Sequence, residues 1–289
     1  HRADTTQSIC SRPTLTPMLP TPTGWFPDPW NNSAVRYWDG RSWTGYVATP
    51  VPQRQPHPSL PIRAAWGAVI TLLVSLIASR YLLRAISDFA WPIAVYVSIL
   101  AFIGYAPSLL WCWYASRRWG TGRFRTDVGL NARWVDAGWG PVTWLACLAA
   151  QVVVAVVVIA LNIPFTGNVE DVSDLGSDRG YVISLLVLAV VAAPIAEEIV
   201  FRGVVLRGLL SRNGAGVAIG VQGVLLGLAH FDPIRGTGNI GLVLVLGTVG
   251  CVLGGAAFLI RRIAPTMIAH AIMNGIAMAL ALSGWLPDG

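Results

Sequence analysis

Charged side chains make up only 12% of the 289 residues, lysine is absent, and glutamate occurs three times. A soluble globular domain carries roughly 25% charged residues, so an ordinary cytosolic domain is excluded. The 54% apolar content likewise excludes a disordered chain. No basic stripe is present either. The 20 basic residues, all arginine and giving a net charge of +6, are dispersed between apolar runs, which argues against a nucleic-acid partner. Such an excess reports topology and contact with anionic lipid head groups instead. Cysteine is scarce: Cys10, Cys112, Cys147 and Cys251 form no C-x-x-C pair, and three lie in apolar runs. That spacing builds neither a disulfide framework nor a zinc knuckle. Residues 1–20 lack an apolar core of signal-peptide length, and a chain opening on His1 is expected to be numbered from inside a longer reading frame.

What is present divides in two. Eleven of the 19 prolines fall in the first 63 residues. Residues 1–23 read as a disordered tail and 48–63 as an extended proline-rich linker. Between them, Gly24-Trp-Phe-Pro-Asp-Pro-Trp30 and Arg36-Tyr-Trp-Asp-Gly-Arg-Ser-Trp-Thr44 form an aromatic segment with a hairpin-turn signal at Asp39-Gly40. A two- or three-stranded ribbon held by Trp25, Trp38 and Trp43 is expected over 24–47. The segment resembles a short tryptophan-rich domain of unknown function that commonly precedes bacterial membrane segments, and that resemblance implies no activity. A mini-fold whose tryptophans simply make its core, and a small peptide- or wall-binding module, both fit.

From residue 64 to 285 the expectation is an all-α polytopic membrane protein. About 20 apolar residues span a bilayer, and the candidates are 64–84, 89–116, 138–163, 181–208, 214–231, 238–260 and 263–285. That makes seven helices, or eight if the long second or third stretch is split. An odd count with the N-terminus in the cytoplasm puts fifteen arginines inside: six up to Arg63, five from Arg117 to Arg133, then Arg207, Arg212, Arg261 and Arg262. Only Arg80, Arg84, Arg179 and Arg235 fall outside, beside an acidic 162–180 loop, and Arg202 lies within the membrane. An integral plasma-membrane protein is expected.

Acidic residues at a helix centre cost roughly 2.5–3.5 kcal/mol on insertion scales, yet Glu197 and Glu198 sit together in an apolar helix, followed by Arg202. Glu198 and Arg202 are spaced i, i+4 and can pair on one face; Glu197 is rotated by about 100° from Glu198. His230, His270 and Asn274 also lie in apolar context, the last two again at i, i+4. Pro194 is expected to free a backbone carbonyl one turn earlier and kink the helix. Three small-xxx-small pairs, Gly216/Gly220, Gly223/Gly227 and Gly250/Gly254, are expected to let helices approach closely. Taken singly, each polar group has a plain structural explanation as an ion pair or interhelical hydrogen bond. Together they exceed what packing alone would keep in lipid.

These are the parts of a hydrolase. A shielded carboxylate can take a proton from water, an imidazole can hold or shuttle it, and further donors can stabilise the oxyanion formed at an amide carbonyl. No serine or cysteine is placed as a nucleophile, and the His-Glu-x-x-His zinc helix is absent. Glu197, His230 and His270 could nevertheless meet around a divalent metal such as zinc, so a metal-bound and a directly activated water both stay open. A non-catalytic scaffold that uses the polar cluster to bind a partner, and an ion-coupled transporter, are the other classes; paired broken helices in corresponding halves, the transporter signature, are not seen.

At these residues the chain resembles the CPBP family of intramembrane proteases, which includes the type 2 CAAX prenyl endopeptidases and bacteriocin-processing relatives. E-E-x-x-x-R stands as Glu197-Glu198-Ile-Val-Phe-Arg202, and H-x-x-x-N as His270-Ala-Ile-Met-Asn274. F-x-x-x-H stands as Leu226-Gly-Leu-Ala-His230, with leucine replacing the aromatic. The resemblance covers 180–285, the implied catalytic core. It implies an endopeptidase, glutamate- or metal-dependent, acting on a membrane-associated protein or peptide. Glu197 and His230 would activate the water, His270 and Asn274 would stabilise the oxyanion, and Glu198 and Arg202 would support the site. An immunity protein of the same fold is the alternative, and oligomeric state is left open.

Overall fold

In the computed structural model the described residues are 22–49, 60–167 and 179–283. The expected tail, Cys10, most of the proline-rich linker and most of the acidic 162–180 loop lie outside them. Two compact units divide the chain, His1–Gln55 and Pro56–Gly289.

The first unit holds an antiparallel sheet of three strands in sequence order, β1 (Gly24–Asp28), β2 (Asn31–Trp38) and β3 (Trp43–Ala48). Its second turn is built where expected. Asp39 Oδ1 accepts from the amides of Arg41 and Ser42, and Gly40 takes a φ of 93°, which favours glycine. Trp38 and Trp43 are cross-strand partners with ring centroids 5.3 Å apart, edge to face. Trp25 packs edge-on against Tyr37 at 5.5 Å but stays half exposed. Asp28 ties the ribbon together, accepting from the Trp30 amide and pairing with Arg36 at 3.1 Å.

In the second unit, six helices are long and apolar enough to cross a membrane, among the described residues. They are α1 (Ile62–Ile86), α2 (Ile93–Trp119), α4 (Asp136–Ala160), α5 (Arg179–Leu210), α7 (Asn239–Ile260) and α8 (Ala264–Leu282). A one-turn α3 (Phe124–Asp127) lies between α2 and α4. The expected split of the second or third stretch does not occur, since α2 and α4 run unbroken despite Pro107 and Pro141.

The segment expected as a fifth span, 214–231, forms the 15-residue α6 (Ala215–Ala229). At about 1.5 Å per residue, α6 is about 22 Å long, against about 30 Å of bilayer hydrocarbon. Started at one membrane surface, a helix of that length ends inside the hydrocarbon. Non-helical backbone is tolerated there only when it is buried in protein or lines a cavity. A 3₁₀ turn, Pro233–Gly238, follows, and Asp232 at its start pairs with Arg80 of α1 and with Arg235, each at 3.5 Å.

Lipid offers helices little hydrophobic reason to associate, so close backbone approach must do that work. It does so between α6 and α7. A Cβ on Gly223 would stand 2.8 Å from Gly247 O, one on Gly227 2.5 Å from Val243 O, and one on Gly250 2.7 Å from Gly223 Cα. Two of the three expected glycine pairs thus face one another. The third, Gly216/Gly220, is a correction: a Cβ at either position would meet open space. Another tie escaped the sequence reading, a two-pronged ion pair from Arg262, just before α8, to Asp136 at the start of α4.

Candidate functional site

The site lies where α2, α5, α6 and α8 meet. Helix α5 is not uniform: its first and last turns are α-helical, but Val187–Ala192 and Ile199–Val205 are wound as π-helix, flanking the turn Ala193–Glu198 that carries both glutamates. The first π stretch runs up to the turn that carries Pro194, which has no amide hydrogen. The Ala193 amide donates to Leu188 O, five residues back. In that register the Ala189 carbonyl would next look to residue 194, which cannot donate. Its partner is the side chain of Asn274, whose Nδ2 donates to Ala189 O at 2.8 Å. The carbonyl expected to be freed by Pro194 is therefore real, and π-winding shifts it by one residue. Local π-winding of this kind is frequent at functional sites.

Glu198 and Arg202 form the expected i, i+4 pair, Nη1 to Oε1 at 2.9 Å, with both side chains fully buried. Arg202 Nη2 also donates to Gly250 O at 3.2 Å, an oxygen shared with Gln222 Nε2 at 2.7 Å. The pair thereby fastens α5 to the glycine-lined contact of α6 and α7. His270 brings in α8: its Nδ1 lies 3.1 Å from Glu198 Oε1, a distance at which a ring N–H donates to the carboxylate. His270 Nε2 lies 4.0 Å from Glu197 Oε2.

Glu197 is buried, and its two oxygens differ. Oε1 accepts from the hydroxyl of Tyr105 on α2 at 2.8 Å. Oε2 is buried with no hydrogen-bond partner. Both Tyr105 and Glu197 line a cavity of about 230 Å³, together with His230, His270 and Asn274. Its remaining wall is apolar, with Leu185, Leu188, Leu226, Met273 and Met278 among its residues. Leu226 fills the position where the resembled motif has an aromatic; it is buried, and its carbonyl accepts from His230 Nδ1 at 3.0 Å. A carbonyl only accepts, so that bond puts a hydrogen on Nδ1 and leaves Nε2 of the neutral ring as an acceptor.

All six residues singled out in the sequence lie at this junction. Four line the cavity, while Glu198 and Arg202 stand behind it. His230 makes no direct bond to Glu197; they share the cavity only. Tyr105 was missed, because a tyrosine in an apolar run carries no charge or spacing signal. Its one clue is that a phenolic hydroxyl within lipid needs a partner. Among the described residues no three His, Cys, Asp or Glu side chains are grouped to hold a metal ion.

Residues 179–276 match the family model described as type II CAAX prenyl endopeptidase Rce1-like, and residues 23–57 match that of a protein of unknown function, DUF2510. No curated protein and no solved structure matches the chain. The matched stretches bear out both resemblances read from the motifs. Six helices long and apolar enough to cross a membrane, three of them in or reaching into the matched stretch, make the chain an integral membrane protein, and residues 179–276 are similar to a type II CAAX prenyl endopeptidase domain.

Proposed function

We propose, from the premise that residues 179–276 are an Rce1-like domain, that the cavity hydrolyses a peptide bond of a membrane-associated protein or peptide with a water activated by Glu197. One observation carries this reading: a buried carboxylate oxygen, Glu197 Oε2, has no partner in a cavity that two histidines and an asparagine also line. A buried, unsatisfied carboxylate oxygen is costly, and a water in the cavity satisfies it.

In this reading Oε2 takes a proton from the water while the water oxygen attacks the substrate carbonyl carbon. His230 Nε2, the acceptor nitrogen of its ring, holds the second water hydrogen. The carbonyl π electrons move to the oxyanion. That oxyanion accepts from Asn274 Nδ2, which has one hydrogen left beyond its bond to Ala189 O, with His270 as the second stabilising group on the cavity wall. As the C–N bond breaks, the proton on Oε2 passes to the departing amine. Glu198 and Arg202 orient His270 and touch no substrate.

The same reading puts the N-terminus in the cytoplasm of a bacterial cell, on the arginine count of the loops. The test offers the purified 289-residue chain, in detergent, a fluorogenic peptide library that includes members ending in a prenylated Cys and three further residues. Glu197→Gln and His230→Ala are expected to lower turnover by about 100-fold or more. Turnover that survives both substitutions, or a wild type that cleaves no member, overturns the reading in favour of a non-catalytic scaffold.

A further inference from the structure

The geometry points to Tyr105 as the positioning residue of Glu197: by occupying Oε1 it makes Oε2 the oxygen that meets water. This rests on the reading of Glu197 as general base and adds to it a side chain from α2, outside the matched 179–276 domain.

Most hydroxyls of the spanning helices bond locally, and Ser116 of α2, which donates to the Asp127 carboxylate of α3 at 2.6 Å, is an exception at the helix end. Thr71, Ser75, Ser79, Ser98 and Thr248 each donate to a carbonyl three or four residues back in their own helix. Such back-bonding is the ordinary local way to satisfy a hydroxyl in a helix. Tyr105 instead crosses to another helix and ends on a carboxylate oxygen at 2.8 Å. A hydrogen bond to an ionised acceptor is roughly twice as strong as a neutral one, and a phenol has a single hydrogen to give.

The consequence for Glu197 is a division of labour between two otherwise equivalent atoms. The terminal torsion of a glutamate is broad and nearly two-fold, so an unanchored carboxylate in a cavity can present either oxygen. With Oε1 engaged, the other oxygen is left facing His270 Nε2 across 4.0 Å. That gap is too long for a direct hydrogen bond and is the kind a bridging water fills. Of the two glutamate oxygens only Oε2 is then open to take the water's proton, and on C–N cleavage the same atom returns it to the amine nitrogen. Oε1 keeps its bond to Tyr105 throughout and stays out of the exchange.

The test measures steady-state kinetics of the full chain on whichever library peptide the wild type cleaves. Tyr105→Phe removes only the donor, so kcat is expected to fall about tenfold to a hundredfold with KM within about twofold, as for loss of one hydrogen bond to a charged group. Unfolding in detergent is followed alongside. Fluorotyrosines of graded acidity, placed at 105, keep the shape and the hydrogen while drawing more charge from Glu197; kcat is expected to fall stepwise along the series, which a merely structural tyrosine would not produce. Wild-type kcat in Tyr105→Phe overturns the proposal. If that variant fails to fold, a kcat independent of phenol acidity overturns it equally. Full turnover in Glu197→Gln strikes instead at the general-base reading beneath it.

Discussion

Asn274 on α8 donates its Nδ2 hydrogen to the carbonyl of Ala189 on α5, 85 residues away, at 2.8 Å. The bond exists because Pro194 and the π-wound turn before it leave that carbonyl without a backbone donor. One amide hydrogen is therefore structural, which leaves one for the oxyanion role proposed above.

The two residues should be coupled. In Pro194→Ala a backbone amide becomes available within one turn of Ala189, so Asn274→Ala should cost less stability there than in the wild type. A double-mutant cycle on detergent unfolding is expected to show about 1 kcal/mol of coupling. Strict additivity would remove the proline-carbonyl account.

The Glu198–Arg202 pair is fully buried, so removing one partner strands the other. Arg202→Met is expected to destabilise the chain by about 3–5 kcal/mol, and to loosen α7 through loss of the bond to Gly250 O. Unfolding of the variant against wild type checks this; a loss below about 1 kcal/mol contradicts it.

Glycines of identical spacing should respond in opposite ways. Gly223→Ala and Gly250→Ala drive a Cβ into the facing backbone, and overpacking of this kind costs about 1–3 kcal/mol. Gly220→Ala meets open space and should be neutral or stabilising by up to about 1 kcal/mol through helix propensity. Comparable losses at all three sites would mean that α6 and α7 do not meet where described.

The sheet should be acid-sensitive. The Trp30 amide, helped by the Arg36 guanidinium, holds the Asp28 carboxyl below the usual carboxylate range against the opposing effect of burial. A lowered folded-state value means that the stabilisation is complete above the ordinary carboxylate value, about pH 4, and is lost as pH falls through the folded one. Hydrogen–deuterium exchange over residues 22–49 should stay flat from neutral pH to about pH 5 and accelerate below about pH 4, after correction for intrinsic rates. Asp28→Asn should diminish that step, and Asp28→Asn combined with Asp39→Asn should abolish it, since the amides of Ser42 and Arg41 hold the Asp39 carboxyl low in the same way.

Much of this was legible because it is local. Hydropathy located the seven apolar segments to within a few residues, and i, i+4 spacing alone announced Glu198 with Arg202. Less legible was whether a segment crosses fully: 214–231 is largely apolar, yet its helix has only 15 residues and stops at Ala229. Nor could spacing rank the glycine pairs, since Gly216/Gly220 and Gly223/Gly227 are indistinguishable until a neighbouring helix is present.

Composition and periodicity by themselves determined that this chain enters a membrane, that its helices bundle, and which six polar residues stand in apolar context. Each of those properties is carried by residues within a turn or two of one another. Only the tertiary structure decided what the six are bonded to. The phenol on Glu197 comes from 92 residues away and the carbonyl under Asn274 from 85, distances over which sequence carries no geometric information and only packed helices bring the partners together.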